Sequence, residues 1–231
     1  MNANSKYFKG LSRKDYIQKA HEIIRAEGMD AVSIRRLAKD MQCSSASLYR
    51  YFSGRDELLY FSQLPTLRNY IKRVNQMEEE WGNIWEVYIG IWYSFSKEAF
   101  SNAEAFDLLF FSNINLNLDY AIKEYYSMFP EDLKDTSKIF QEMFQIPDFQ
   151  SRDMLICKKS INEGAITEQN GEKLNRIVCM MFEGYLKSML DHRAGSEEIE
   201  SKVSTFIEDV DGIIHWLAGD LRGYEKYLPL I

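Results

Sequence analysis

Residues Ser33–Leu59 read SIRRLAKDMQCSSASLYRYFSGRDELL, and the fold turns on this stretch. Ser33 can cap a helix, because its hydroxyl can accept from an unpaired N–H of the first turn. Ile34, Leu37, Ala38 and Met41 follow at i, i+3, i+4 and i+7, a single apolar stripe. Ser44 is the next N-cap, with Cys43 and Leu48 at the two ends of a hydrophobic staple. The second helix is therefore short, Ser45 to Tyr49. Ser53 and Asp56 match a Ser-x-x-Asp capping box that opens a third helix. Upstream, Ile17, Ala20, Ile23 and Ile24 give an earlier helix its buried side, and Gly28 can stop it. Two short helices across a tight turn form a helix-turn-helix, the smallest unit that can place a helix in the DNA major groove.

The order and spacing of several groups carry a family resemblance. These are Glu27-Gly28, Val32-Ser33-Ile34, Leu37-Ala38, Ser44, Leu48-Tyr49-Arg50-Tyr51-Phe52 and Arg55-Asp56-Glu57-Leu58-Leu59. Together they resemble the N-terminal domain of TetR-family transcriptional regulators, and the resemblance fades after Leu59. It implies an all-α chain with a DNA-binding domain over 1–60 and a helical ligand-binding and dimerisation domain over 61–231. There are departures from the family pattern. Gln42 stands in the turn where glycine is common, and a left-handed residue there costs about 1–2 kcal/mol. Arg55 stands where Lys is common, and Ala46 and Ser47 where Gly and Thr are frequent.

Charge is divided in the same way. The chain of 231 residues has a net charge of −7. Residues 1–60 hold eleven Lys/Arg against seven Asp/Glu, so the head is basic and the remainder acidic. Phosphates select locally for cations whatever the global balance. The N-terminus has no apolar leader pattern, and no window of 18 or more apolar residues exists, so a cytoplasmic protein without a membrane partner is expected. Cys43, Cys157 and Cys179 have no metal or redox spacing. His21, His192 and His215 lie singly, and no nucleophile elbow or phosphate loop occurs. No metal, cofactor or enzymatic activity is expected.

Beyond Leu59 the sequence reads as helix throughout. A helix from Gly54 to Gln76 should be interrupted at Pro65. Further helices are expected over 83–100, 105–111, 119–129 (stopped by Pro130), 131–145 and 149–162, the last stopped at Glu163-Gly164. Two long helices close the chain. Leu174, Ile177, Val178, Met181, Phe182, Tyr185, Leu186 and Met189 hold the helical period in the first. Ile199, Val203, Phe206, Ile207, Val210, Ile214 and Leu217 hold it in the second.

The resemblance assigns roles. Ser45, Ala46, Ser47 and Tyr49 would face base edges, Ser through its hydroxyl and Ala against a thymine methyl, and the cap Ser44 counts with them among the DNA-binding residues. Arg50 would reach a guanine or a phosphate, and Ser33, Arg35, Tyr51 and Arg55 would hold phosphates. Tyr49 reads equally well as core. Trp85, Tyr88, Trp92, Phe106, Phe110, Phe140 and Phe144 are either a pocket for an apolar or aromatic effector or a plain core. Ile177, Met181, Phe182, Tyr185, Val203, Phe206 and Val210 are candidates for a homodimer interface. The reading is a DNA-binding regulator, a repressor released by a small molecule. Its rivals are a dimeric helical interaction module with a degenerate DNA-binding domain, favoured by Gln42 and the weak basicity, and a helical enzyme.

Overall fold

A computed structural model of the chain describes residues 10–112, 114, 116, 118–190, 194–219, 221 and 224, with Glu78 and Leu118 by backbone alone. His192 lies outside these residues. The described residues are helical with no strand. They form two compact units divided between Pro65 and Thr66, with Ile114 and Leu116 counted to the first. The boundary expected at 60/61 would have cut a continuous helix.

The first unit holds four helices: α1 (Arg13–Glu27), α2 (Ile34–Asp40), α3 (Ser45–Leu48) and α4 (Arg55–Gln63). Ser12 opens α1 with a full capping box, accepting from the Asp15 N–H while the Asp15 carboxylate takes the Ser12 N–H. Gly28, at φ +88, ends it. Ser33 and Ser44 cap α2 and α3 through the N–H groups of Arg36 and Ser47. The expected box at Ser53 and Asp56 is a correction. Gly54 is the N-cap, so the third helical residue is Glu57, and the Glu57 carboxylate accepts from the Ser53 N–H at 2.6 Å and its hydroxyl at 2.7 Å. Glu57 also pairs with Arg13, whose guanidinium lies 4.1 Å from the Phe61 ring centroid and 5.0 Å from that of Phe52. Tyr16, Ile17, Ala20, Leu37, Leu48, Phe52 and Leu58 fill the core beneath.

Pro65 falls in a 3-10 turn, Leu64–Thr66, so the helix expected from Gly54 to Gln76 is two. The second unit contains α5 (Leu67–Met77), α6 (Ile84–Ser101), α7 (Ala103–Phe110), α8 (Leu118–Met128), α9 (Lys138–Phe144), α10 (Phe149–Asn162), α11 (Glu168–Ser188) and α12 (Ser196–Leu217). The segment 131–145, expected as one helix, is instead a 3-10 turn, Pro130–Leu133, followed by α9. Asp132 anchors that turn, accepting from Arg68 Nε and from the Tyr125 hydroxyl, both at 2.7 Å.

Helix α6 is apolar almost all round, as a helix enclosed by others must be. It packs on α5, α7, α10, α11 and α12. Asn83 caps it through the N–H groups of Trp85 and Glu86. Gly90 is required by contact: a Cβ there would lie 2.4 Å from the Trp81 ring. Trp92, Phe95, Phe149, Phe182 and Phe206 form one aromatic cluster, with Phe95 and Phe182 centroids 5.0 Å apart and Trp92 and Phe206 5.5 Å apart. Burying each such side chain contributes about 1.5–3 kcal/mol.

Candidate nucleic-acid interface

Helix α3 is a single turn held by one buried side chain. Leu48 is fully buried, Ala46 and Arg50 are exposed, and Ser45 and Ser47 are half-buried. Tyr49 is 59% exposed, which settles its two readings against core packing. Ser44 and Ser47 hydroxyls lie 3.0 Å apart, so the cap and the second serine of α3 are tied to each other. A short helix that anchors one leucine and exports its other side chains is free to enter a groove.

The cations behave less uniformly than expected. Arg55, assigned to phosphate, is tied to the backbone: its Nε donates to Val32 O at 2.8 Å and a terminal nitrogen to Met29 O at 3.0 Å, and it lies 3.8 Å from the Asp30 carboxylate. Arg36 clasps Glu27 and donates to Ala31 O. Ser33 is occupied as a cap, and the Tyr51 hydroxyl donates to Leu11 O at 3.3 Å. Arg35, Lys39 and Arg50 remain exposed, with no ion pair or hydrogen bond among the described residues. Lys39 was not singled out from the sequence. Its place four residues after Arg35, on the same helical face, was the available signal.

The aromatic set divides as core. Trp85, Tyr88, Phe106, Phe140 and Phe144 are fully buried, as core side chains are. Half-buried Phe110 lies under the Arg152 guanidinium, 4.8 Å from centroid to carbon. Trp92 lines a cavity together with Tyr70, Ile91, Phe95, Met143, Phe149, Arg152, Asp153 and Ile156. Its volume of about 20 Å³ is that of roughly one water. Beside it, buried Asp153 accepts from Asn175 Nδ2 at 2.8 Å, Trp92 Nε1 at 3.0 Å, the Tyr88 hydroxyl at 3.2 Å and the Cys157 thiol at 3.5 Å. Burial pushes its carboxyl up to about 6 despite these donors. Burial likewise raises the Cys157 and Cys179 thiols, which keeps them protonated and inert. An open groove of about 460 Å³ runs outside α10, lined by Ile146, Met154, Leu155, Lys158 and Asn175 among others.

The dimer candidates divide too. Phe182, Val203, Phe206 and Val210 are buried in their own chain and so are corrected to core; Ile177, Met181 and Tyr185 are half-buried. Tyr185 donates to Asp209 at 2.6 Å, tying α11 to α12. The outward faces carry Met180 and Trp216, 64% and 63% exposed. Gly184 and Gly212 sit on these faces, with open space where a side chain would stand. Lys173 Nζ lies 3.9 Å from the Trp216 ring centroid and joins the two faces. No helix among the described residues is long and apolar enough to cross a membrane.

Comparison with known proteins relates the helix-turn-helix to a family and the helical body to a fold. Residues 17–60 match the model described as bacterial regulatory proteins, tetR family. An HTH-type transcriptional regulator of Staphylococcus aureus is 27% identical over 82 residues, 32% of this chain and 44% of that protein. A second, from another strain, is 28% identical over 68 residues, 29% of this chain and 37% of that protein. The chain thus matches less than half the length of these curated relatives. In fold, it is similar over 95% of its length to Thermus thermophilus FadR, a TetR-family transcriptional repressor solved in complex with lauroyl-CoA (99% of that chain, 12% identity, TM-score 0.54). It is similar over 94% to the TetR-family regulator PfmR of Thermus thermophilus (100% of that chain, 15% identity, TM-score 0.50). Residues 17–60 thus match the TetR family's helix-turn-helix model, and the helical body is similar in fold to structures of that family.

Proposed function

We propose that the protein is a homodimeric, sequence-specific DNA-binding regulator that represses transcription and is released by a small, largely apolar effector. The observation that carries this reading is α3, which spends Leu48 on the core and leaves Ser45, Ala46, Ser47 and Tyr49 at or near the surface. Arg35, Lys39 and Arg50 supply phosphate contacts, while Arg55 and Tyr51 brace the unit. A second copy docks on the outer faces of α11 and α12. There Met180 and Trp216 offer apolar area, and Gly184 and Gly212 let helices approach closely, each glycine costing about 1 kcal/mol against Ala in an isolated helix. A two-fold dimer presents two α3 helices to half-sites about 34–36 Å apart.

The effector acts on the helical body. A cavity of about 20 Å³ is too small for an organic ligand, so the effector must favour a more open arrangement around Trp92, Tyr70 and Phe149. It shifts the equilibrium only by binding that arrangement better. FadR, similar in fold, was solved with lauroyl-CoA, which fits an apolar ligand class here.

The test is selection from a random duplex pool followed by binding at several salt concentrations. A near-palindromic motif and a log–log salt slope of several units support the reading. Binding without sequence preference, or none at low salt, favours the interaction module instead. An effector should raise the melting temperature and lower operator affinity together, since the two sites are linked.

A further inference from the structure

Helix α2 ends in a Schellman motif. The Cys43 N–H donates to Ala38 O at 2.9 Å and the Gln42 N–H to Lys39 O at 3.1 Å. The motif forces the residue between helix and turn into the left-handed region, and that residue is Gln42, at φ +53. Among the described residues it is the one non-glycine residue with positive φ. The turn is fixed from both sides, by the paired hydrogen bonds and by Cys43, whose sulfur accepts from the Tyr16 hydroxyl at 3.6 Å. The backbone therefore cannot relax around the Cβ. Gln42 is exposed, and its amide has no hydrogen bond among the described residues. It stands two residues before Ser44, the cap of the helix whose side chains face bases in the reading above.

Strained residues persist where the surroundings over-determine them, and they cluster at functional sites. A neutral amide pairs a donor with an acceptor, the pattern of the adenine N6/N7 edge. We propose that Gln42 is a specificity-determining residue whose amide hydrogen-bonds an adenine edge in each operator half-site. This rests on the DNA-binding reading and adds a base contact from the turn to those from α3.

The experiment selects duplexes from a random-sequence pool with the native chain, Gln42→Gly and Gln42→Ala, and melts all three proteins. The native chain should enrich a motif with adenine preferred at one position per half-site. Both variants should lose about tenfold discrimination at that position and keep the others. Gln42→Gly should melt above the native chain, because glycine fits the left-handed turn; Gln42→Ala, which keeps the Cβ without the amide, should not. An unchanged motif, or an equal loss for every sequence, overturns the proposal and leaves the DNA-binding reading standing. A native chain that enriches no motif overturns both.

Discussion

Helices α3 and α6 are opposite solutions to the same problem. Helix α3 is four residues long and buries one side chain, Leu48. Helix α6 is eighteen residues long and buries side chains on every face. The first is held by its caps and its neighbours, so its outward residues are free for a partner. The second is held by everything around it, so its aromatic residues are committed. Trp85, Tyr88 and Trp92 look as functional in sequence as Ser45, Ser47 and Tyr49. Exposure separates them: what is available for recognition is what packing does not consume.

The comparison can be broken most severely at the core. Phe182→Ala should cost about 3–5 kcal/mol, because the ring touches Trp92, Phe95, Phe149 and Phe206 and the cavity left behind cannot collapse. Urea unfolding measures it, and a loss below about 1 kcal/mol would mean that α6 is not the packed centre described.

Asp153 gives a pH-dependent effect of similar size. Its carboxyl is raised to about 6 in the folded chain from an ordinary value near 3.8. The folded state therefore holds this proton more tightly than the unfolded one. The resulting stability is full below about pH 4 and is lost as pH rises through 6, on the order of 3 kcal/mol over that window. Asp153→Asn removes the titration. The stability difference between the native chain and this variant should move in the variant's favour from pH 4 to pH 6. A difference that stays flat would show that Asp153 titrates normally.

On the outer face of α11 and α12, Trp216→Ala should weaken self-association by about 2 kcal/mol if Trp216 anchors a second copy, since large aromatics dominate such interfaces. Sedimentation at several concentrations reads this directly. A native chain that is monomeric at micromolar concentration would remove the dimer.

Within the first unit the cations sharpen the contrast. Arg55→Ala should cost about 1 kcal/mol of stability by removing the Val32 carbonyl's donor and one of the two donors to the Met29 carbonyl, with the salt slope of DNA binding unchanged. Arg35→Ala and Lys39→Ala should do the reverse, each reducing that slope by about one unit and leaving stability within about 0.5 kcal/mol. Exchange of these two phenotypes would return Arg55 to the phosphate backbone.

Local signals were legible in the sequence. Ser33, Ser44 and Gly28 act on groups within four residues of themselves, so their spacing alone identified two helix starts and a stop. Pro65 and Gly164 likewise break helices where they stand. The capping box went one residue astray because a glycine N-cap leaves no side-chain mark, and only the reach of Glu57 back to Ser53 reveals it.

The sequence by itself determined the helical class, the helix-turn-helix and the order of the elements, because capping, periodicity and turn chemistry act within a few residues along the chain. The tertiary structure decided which side chains remain available. Arg55 and Arg35 carry the same charge, yet one is spent on two carbonyls and the other is free. Phe182 and Met180 share a helix, yet one fills the core and the other stands exposed. These differences depend on partners twenty or more positions away, and periodicity marks a helix face without saying what covers it.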